Sequence, residues 1–247
     1  MLFRSSGTPT VVVPATNYTI TANFASGNAT STISIGILPA PFYRWRFNGD
    51  YTSSTANVLT GTPVIRGTGP ITTLNSSVFK EGNSSAFFDP AAGNAQYDNG
   101  GIIDLGVINF GNAFTISVWI NTFGANPAYV DKLMAIISNR VGTGGNADGF
   151  SIFINSYQSS GDRILQLSTG NGSGAAVGSV INSVPLNQWC FLTIVADRTL
   201  GKAKLYVNGI PLALQGGVDT IHTNFAVNAI TRIGHEGERP PDLGQTH

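Results

Sequence analysis

Phe114-Thr-Ile-Ser-Val-Trp119 alternates strictly: Phe114, Ile116 and Val118 fall on one face of an extended chain, and Thr115, Ser117 and Trp119 on the other. A strand of this kind is covered on at least one face, as in a two-sheet sandwich. Four further runs follow: Ala135-Ile-Ile-Ser138, Gly149-Phe-Ser-Ile-Phe-Ile154, Trp189-Cys-Phe-Leu-Thr-Ile-Val195 and Lys204-Leu-Tyr-Val-Asn-Gly209. Each is β-branched or aromatic and is closed by Gly, Asn, Asp or Pro, and an apolar spacing of about 3.6 residues never persists for three turns. Asn208-Gly209, between Leu205-Tyr-Val207 and Ile210-Pro-Leu212, is the dipeptide best suited to a type I′ hairpin turn. The pattern is that of antiparallel strands joined by turns.

These segments, with YRWRFNGD (43–50), GNSSAFFDP (82–90), NQWCFLTIVADR (187–198) and ITRIGHE (230–236), resemble the laminin-G-like, concanavalin A-like jelly-roll family in order and rough spacing across residues 42–236. The resemblance implies an all-β, two-sheet antiparallel sandwich that serves as a carbohydrate- or protein-binding module, often with a calcium ion at its rim. Members of that family finish with a closing hairpin beside the first strand. Here the chain reads Glu236-Gly-Glu-Arg-Pro-Pro-Asp-Leu-Gly-Gln-Thr-His247, and Pro240-Pro241 cannot donate ladder hydrogen bonds. The expectation is an open sheet edge that favours self-association or a strand from a neighbouring chain.

Residues 7–37 resemble the C-terminal hairpin of an immunoglobulin-like surface repeat: Gly7-Thr-Pro precedes Thr16-Asn-Tyr-Thr-Ile-Thr-Ala-Asn23, and Gly27-Asn28 stands where a hairpin turn is wanted. A lone hairpin is marginal in water. Ile37-Leu-Pro-Ala-Pro-Phe42 reads as a short extended spacer. The organisation expected is a partial immunoglobulin-like segment over 1–37, a linker over 38–42 and a jelly roll over 43–247.

With 247 residues, 42% apolar and 11% charged, the chain can bury a sizeable core. Thirteen basic residues balance thirteen acidic ones without clustering, which argues against an electrostatic nucleic-acid footprint. Low charge with abundant Ser, Thr, Asn and Gly suits an extracellular, cell-surface or virion-surface β protein. Met1-Leu-Phe-Arg-Ser-Ser-Gly7 lacks the apolar core of a secretory signal, and no run is long enough to span a bilayer. Cys190 is the single cysteine; flanked by Trp189 and Phe191, it reads as a buried packing thiol.

Glycan hydrolysis calls for two carboxylates about 5–9 Å apart across the scissile bond. The glutamates are Glu81, Glu236 and Glu238; the last two have a strand-like spacing without strand context. His222, His235 and His247 have no matching nucleophile elbow. No catalytic residue is expected. The loops Gly142–Gly149 and Thr169–Gly174 are glycine-rich but lack the Lys-Ser/Thr of a phosphate loop. Calcium takes six to eight oxygens, and the best clusters are Asp98-Asn99 with Asp104, and Asn146 with Asp148. For sugar stacking the candidates are Tyr97, Tyr129 and Tyr157, in polar loop sequence, while Trp45, Trp119 and Trp189 are assigned to core or inter-sheet packing. The leading reading is a non-catalytic module that binds a glycan or a surface protein. The alternative is a structural component of a virion or surface layer, and a glycan hydrolase comes third.

Overall fold

The structure, a computed structural model, describes residues 13–24, 27–37, 42–66, 71–88, 100–122, 134–142, 146–156 and 161–234. Phe114–Trp119 lies inside a strand at Ala113–Asn121, whose residues alternate between exposed and half-buried up to Ile120 as their period-two pattern requires. In chain order the strands are β1 (Val13–Phe24), β2 (Gly27–Ile37), β3 (Thr62–Arg66), β4 (Thr73–Asn75), β5 (Ser85–Phe87), β6 (Gly100–Asn109) and β7 (Ala113–Asn121). They continue with β8 (Met134–Ser138), β9 (Gly149–Ile154), β10 (Leu165–Gly170), β11 (Gly174–Gly178), β12 (Trp189–Asp197), β13 (Lys202–Val207), β14 (Ile210–Pro211) and β15 (Asn228–Ile233).

Two sheets make the sandwich: one of order β11-β10-β9-β8-β15-β6-β3 and one of order β14-β13-β12-β7, with antiparallel pairing throughout. Between them sit Phe150, Ile152, Leu165 and Leu167 of the first sheet and Leu192, Ile194, Ala196 and Leu205 of the second, all buried. Each fully buried large apolar side chain contributes about 1.5–3 kcal/mol, so this layer drives the two sheets together. Cys190 belongs to it, a buried thiol as the sequence implied. Asn208 and Gly209 have φ of 52° and 79°, the paired positive angles of a type I′ turn. Asn208 also ties its hairpin to β12: its N–H donates to the Phe191 carbonyl at 2.7 Å, and its Oδ1 accepts from the Phe191 N–H at 2.8 Å.

The larger sheet is buried on both faces at its centre, where the residues of β9 are all buried. One cross-strand row runs Thr62, Asp104, Arg232, Ser138, Ser151, Ser168, Ala176 on the face away from the core. Asp104 pairs with Arg232 at 3.2 Å, and the buried Arg140 donates from Nη2 to Ser168 Oγ at 2.5 Å. Hydroxyls and a buried guanidinium thus fill a sheet face that is ordinarily either apolar or wet.

The N-terminal hairpin turns earlier than its sequence indicates. Phe24 pairs with Gly27 and Asn23 with Asn28, so Gly27-Asn28 belong to β2 and are not the turn. The observed register sets Thr19 opposite Thr32 and Thr21 opposite Thr30, whereas a turn at Gly27-Asn28 would set Thr19 opposite Gly36. Pairing β-branched residues with each other fits a pleated ladder better than pairing them with glycine.

Candidate functional site

At one end of the sandwich the β10–β11 turn, the chain entering β9 and the loop before β15 converge on one polar rim. Phe225 anchors the loop: it is 0% exposed, inserted beside Phe150, which packs in turn on Phe110 and Phe114 at ring separations of 4.9 Å. Arg198 clamps it from outside, its guanidinium 5.0 Å from the Phe225 ring centroid and its Nη2 donating to the Phe225 carbonyl at 2.7 Å. Ala226 is held on both sides, its N–H by Asp148 Oδ1 at 2.7 Å and its carbonyl by Asn139 Nδ2 at 3.1 Å. The loop arrives with its geometry set, and His222 and Asn224 face outward from it.

The second wall of the rim is the β10–β11 turn. Gly170 ends β10 against the carbonyl of Ala147, where a Cβ would come within 2.2 Å of that oxygen, so only glycine permits the approach. Gly172 N–H then donates to the Asn146 carbonyl at 3.0 Å. This docks the turn on the loop that carries Asn146 and Asp148.

His222 bridges the two walls: Nδ1 lies 3.1 Å from Thr169 Oγ1 and Nε2 3.2 Å from Ser173 Oγ. Ser173 spends its one hydroxyl proton on Asn171, so it accepts from the Nε2–H tautomer of His222, and Thr169 Oγ1 donates to Nδ1. Ser173 Oγ donates to Asn171 Oδ1 at 2.9 Å, and Asn171 Nδ2 donates to Asn224 Oδ1. The Asn224 amide nitrogen and the second oxygen of Asp148 are left without a protein partner among the described residues. Amide, hydroxyl, imidazole and carboxylate groups, held from behind by packing, form a surface that offers donors and acceptors side by side. Such a surface suits a polyhydroxylated ligand.

The residues proposed from sequence are distributed differently. Asn146 and Asp148 do lie together at this rim. Asp104 lies instead on the larger sheet, where its Oδ1 accepts from Gly106 N–H at 2.7 Å and its Oδ2 is neutralised by Arg232. Asp98, Asn99, Tyr97, Tyr129 and Tyr157 lie outside the described residues. Among the described residues no three His, Cys, Asp or Glu side chains group to hold a metal ion. Asn171, Ser173, His222 and Asn224 were not joined into a binding site from sequence, where His222 was weighed only as a hydrolase histidine, because the turn and the loop that bring them together are far apart in the chain, 53 residues between Asn171 and Asn224.

Trp119 departs from its assignment to packing. It is 40% exposed on the outer face of the smaller sheet, its ring 5.0 Å from that of the cross-strand Phe191 and 4.5 Å from Lys80 Nζ. The alternation with Thr115 and Ser117 already placed it on the polar face. Trp189 shares the strand parity of Phe191 and is half-buried, and Trp45 is half-buried with its Nε1 donating to the Leu59 carbonyl at 3.1 Å.

A family model of the concanavalin A-like lectin/glucanases superfamily matches residues 95–240, more than half of the chain. The chain belongs to this superfamily. Among solved structures, domain 4 of AbnA, a GH43 extracellular arabinanase from Geobacillus stearothermophilus solved with arabinotriose, is similar at 16% identity and a TM-score of 0.50 over 81% of this chain and 84% of that one. The CBM40 of a Ruminococcus gnavus sialidase, bound to α2,3 sialyllactose, aligns at 15% identity and a TM-score of 0.38 over 72% of this chain and 81% of that one. A SAP-like pentraxin from Limulus polyphemus aligns at 20% identity and a TM-score of 0.36 over 56% and 58% of the respective chains. At these identities the likeness is one of fold. Comparison with curated proteins gives no match.

Proposed function

We propose that the protein is a non-catalytic carbohydrate-binding module that takes a glycan at the rim formed by Asn171, Ser173, His222 and Asn224. The observation that carries this reading is the preorganisation of that rim by Phe225 and Arg198, since fixed polar groups lose little entropy when a hydroxylated ligand replaces their water. Membership of the concanavalin A-like superfamily accords with this reading. The use of the carboxylates supports binding over hydrolysis: every carboxylate among the described residues is engaged in a local hydrogen bond or ion pair. An extracellular or surface setting accords with this role. Calcium would enter at Asn146 and Asp148, which share the rim, rather than at Asp104, whose charge Arg232 already balances.

An array of immobilised glycans, probed with the intact chain with and without calcium, tests the proposal. A subset should bind, the Asn171→Ala/Asn224→Ala variant should lose that binding while remaining folded, and the bound glycans should keep their length. Binding unaffected by the rim variant, or shortened glycans, would overturn the reading.

One observation favours the alternative, a structural component completed by its neighbours. β3 forms an edge of the larger sheet and exposes Val64 and Ile65. Pro63 blunts this edge by removing one N–H donor, so pairing with another chain would be partial. Concentration-dependent light scattering, repeated with Ile65→Lys, measures it.

A further inference from the structure

We propose a second binding site, separate from the rim: the cavity of about 250 Å³ lined by Arg46, Asn48, Asp50, Thr52, Ser53 and Ser54 is a subsite for one neutral sugar ring that carries adjacent hydroxyls. It lies before the 95–240 family match, and none of its residues belongs to the rim.

The wall of the cavity is internally satisfied. Thr52 N–H donates to Asp50 Oδ1 at 2.8 Å, Thr52 Oγ1 bonds Thr60 Oγ1 at 3.1 Å, Ser53 Oγ donates to the Asn57 carbonyl at 2.7 Å, and Ser54 Oγ donates to the Arg44 carbonyl at 3.1 Å. Among the described residues, three groups keep unspent capacity. Arg46 there has one partner, Glu81, at 3.8 Å, and Arg44 holds that same carboxylate more closely, at 3.2 Å. Asn48 commits its Oδ1 to the Asn83 N–H and keeps both hydrogens of Nδ2. Asp50 commits Oδ1 and keeps Oδ2.

A donor fork, an amide donor and a carboxylate acceptor around one small cavity match the chemistry of a sugar, whose hydroxyls donate and accept at once. Charge narrows the class. A phosphate or carboxylate ligand drawn to Arg46 would meet Asp50, and a cation drawn to Asp50 would meet Arg46, so the balanced pair favours a ligand without net charge. Size narrows it further, because the cavity falls below the ~300–1,000 Å³ of pockets for drug-sized ligands and suits a single ring.

The backbone that carries Arg46 and Asn48 is also preformed. Phe47 holds a φ of 52°, a left-handed angle rare for a bulky residue. Ser84 pins it there by donating from Oγ to the Phe47 carbonyl at 2.5 Å while accepting from Gly49 N–H at 2.9 Å. Backbone strain held in place beside a polar cavity is the kind of investment found at ligand clamps.

The test is amide NMR of the full chain, titrated to tens of millimolar with the methyl glycosides of glucose, galactose, mannose and arabinose, and with methyl glucuronide as the charged control. At least one neutral glycoside should move the Gly49, Asp50 and Asn83 signals, and more strongly than the glucuronide. Asp50→Ala and Arg46→Gln should each weaken that response about tenfold or more, with the remaining spectrum reporting that both variants fold. The Asn171→Ala/Asn224→Ala rim variant should leave it unchanged, which separates this site from the rim: loss of array binding with the shifts retained supports both. Absence of shifts with all four glycosides, wild-type response in both cavity variants, a stronger response to the glucuronide, or loss of the response in the rim variant would each overturn the proposal.

Discussion

Arg198 and Phe225 lock the rim loop to the end of the smaller sheet: the guanidinium lies 5.0 Å from the ring centroid, donates to the Phe225 carbonyl at 2.7 Å and bonds Asn112 Oδ1 at 3.3 Å. One side chain just beyond β12 thereby fixes the loop that carries His222 and Asn224 and joins it to the turn between β6 and β7. Hydrogen bonds from a charged donor contribute about 1.5–3 kcal/mol. Arg198→Ala should therefore destabilise the fold by roughly that amount in urea unfolding and weaken glycan binding as well. A variant with unchanged stability and binding would show that Phe225 and the hydrogen bonds to Ala226 hold the loop without Arg198.

Gly170→Ala tests the docking of the two walls. The added methyl group must displace the Ala147 carbonyl, which stands 2.2 Å from its ideal position. Overpacking of this kind costs about 1–3 kcal/mol, and the movement should reach Asn146 and Asp148. Thermal unfolding together with the amide shift of Gly172, whose N–H bonds Asn146, measures both effects. A native-like Gly172 signal would mean that the turn docks without the close approach.

Alkaline pH should expose Cys190. Burial pushes its thiol up to about 11, whereas in an unfolded chain the group ionises near ~8.5. Between those values the native state binds more protons than the unfolded state, so stability falls as pH rises, by at most about 1.4 kcal/mol per unit, and below ~8.5 the thiol has no effect. Urea unfolding of wild type and Cys190→Ala at successive pH values checks the sign: the wild type should lose its advantage from about pH 8.5 upward. A constant difference would leave the thiol out of the alkaline transition.

Calcium has a narrower expected effect than the sequence clusters imply. If Asn146 and Asp148 hold it, millimolar calcium raises the melting temperature by mass action on the native state, and Asp148→Ala abolishes the rise while Asp104→Asn preserves it. An unchanged melting temperature in the wild type would leave Asp148 as the acceptor that fixes Ala226.

The strands from Phe114, Gly149 and Trp189 were legible because their alternation is local: β9 spans the expected Gly149–Ile154, and β7 and β12 extend the expected runs by one or two residues. β6 was not, since Gly100, Gly101 and Gly106 interrupt its apolar pattern. Its place between β15 and β3, with an irregularity in register near Asp104, comes from pairing with strands far along the chain. The N-terminal hairpin shows the same limit at shorter range. Gly27-Asn28 carries turn chemistry, yet the ladder register put the reversal before it.

What the sequence by itself determined is the all-β class, the Asn208-Gly209 turn and the buried thiol of Cys190, because backbone preference and period-two burial are written within a few residues of each position; the superfamily was legible as a resemblance in the order and spacing of whole segments. Only the tertiary structure decided where the polar groups meet. It carried Asp104 to Arg232 and away from the rim, brought Phe191 and Lys80 to the ring of Trp119, and set His222 between Thr169 and Ser173. These outcomes depend on which distant strands pair and in what register. A shift of one residue would reverse every face, and no local preference among these residues records that choice.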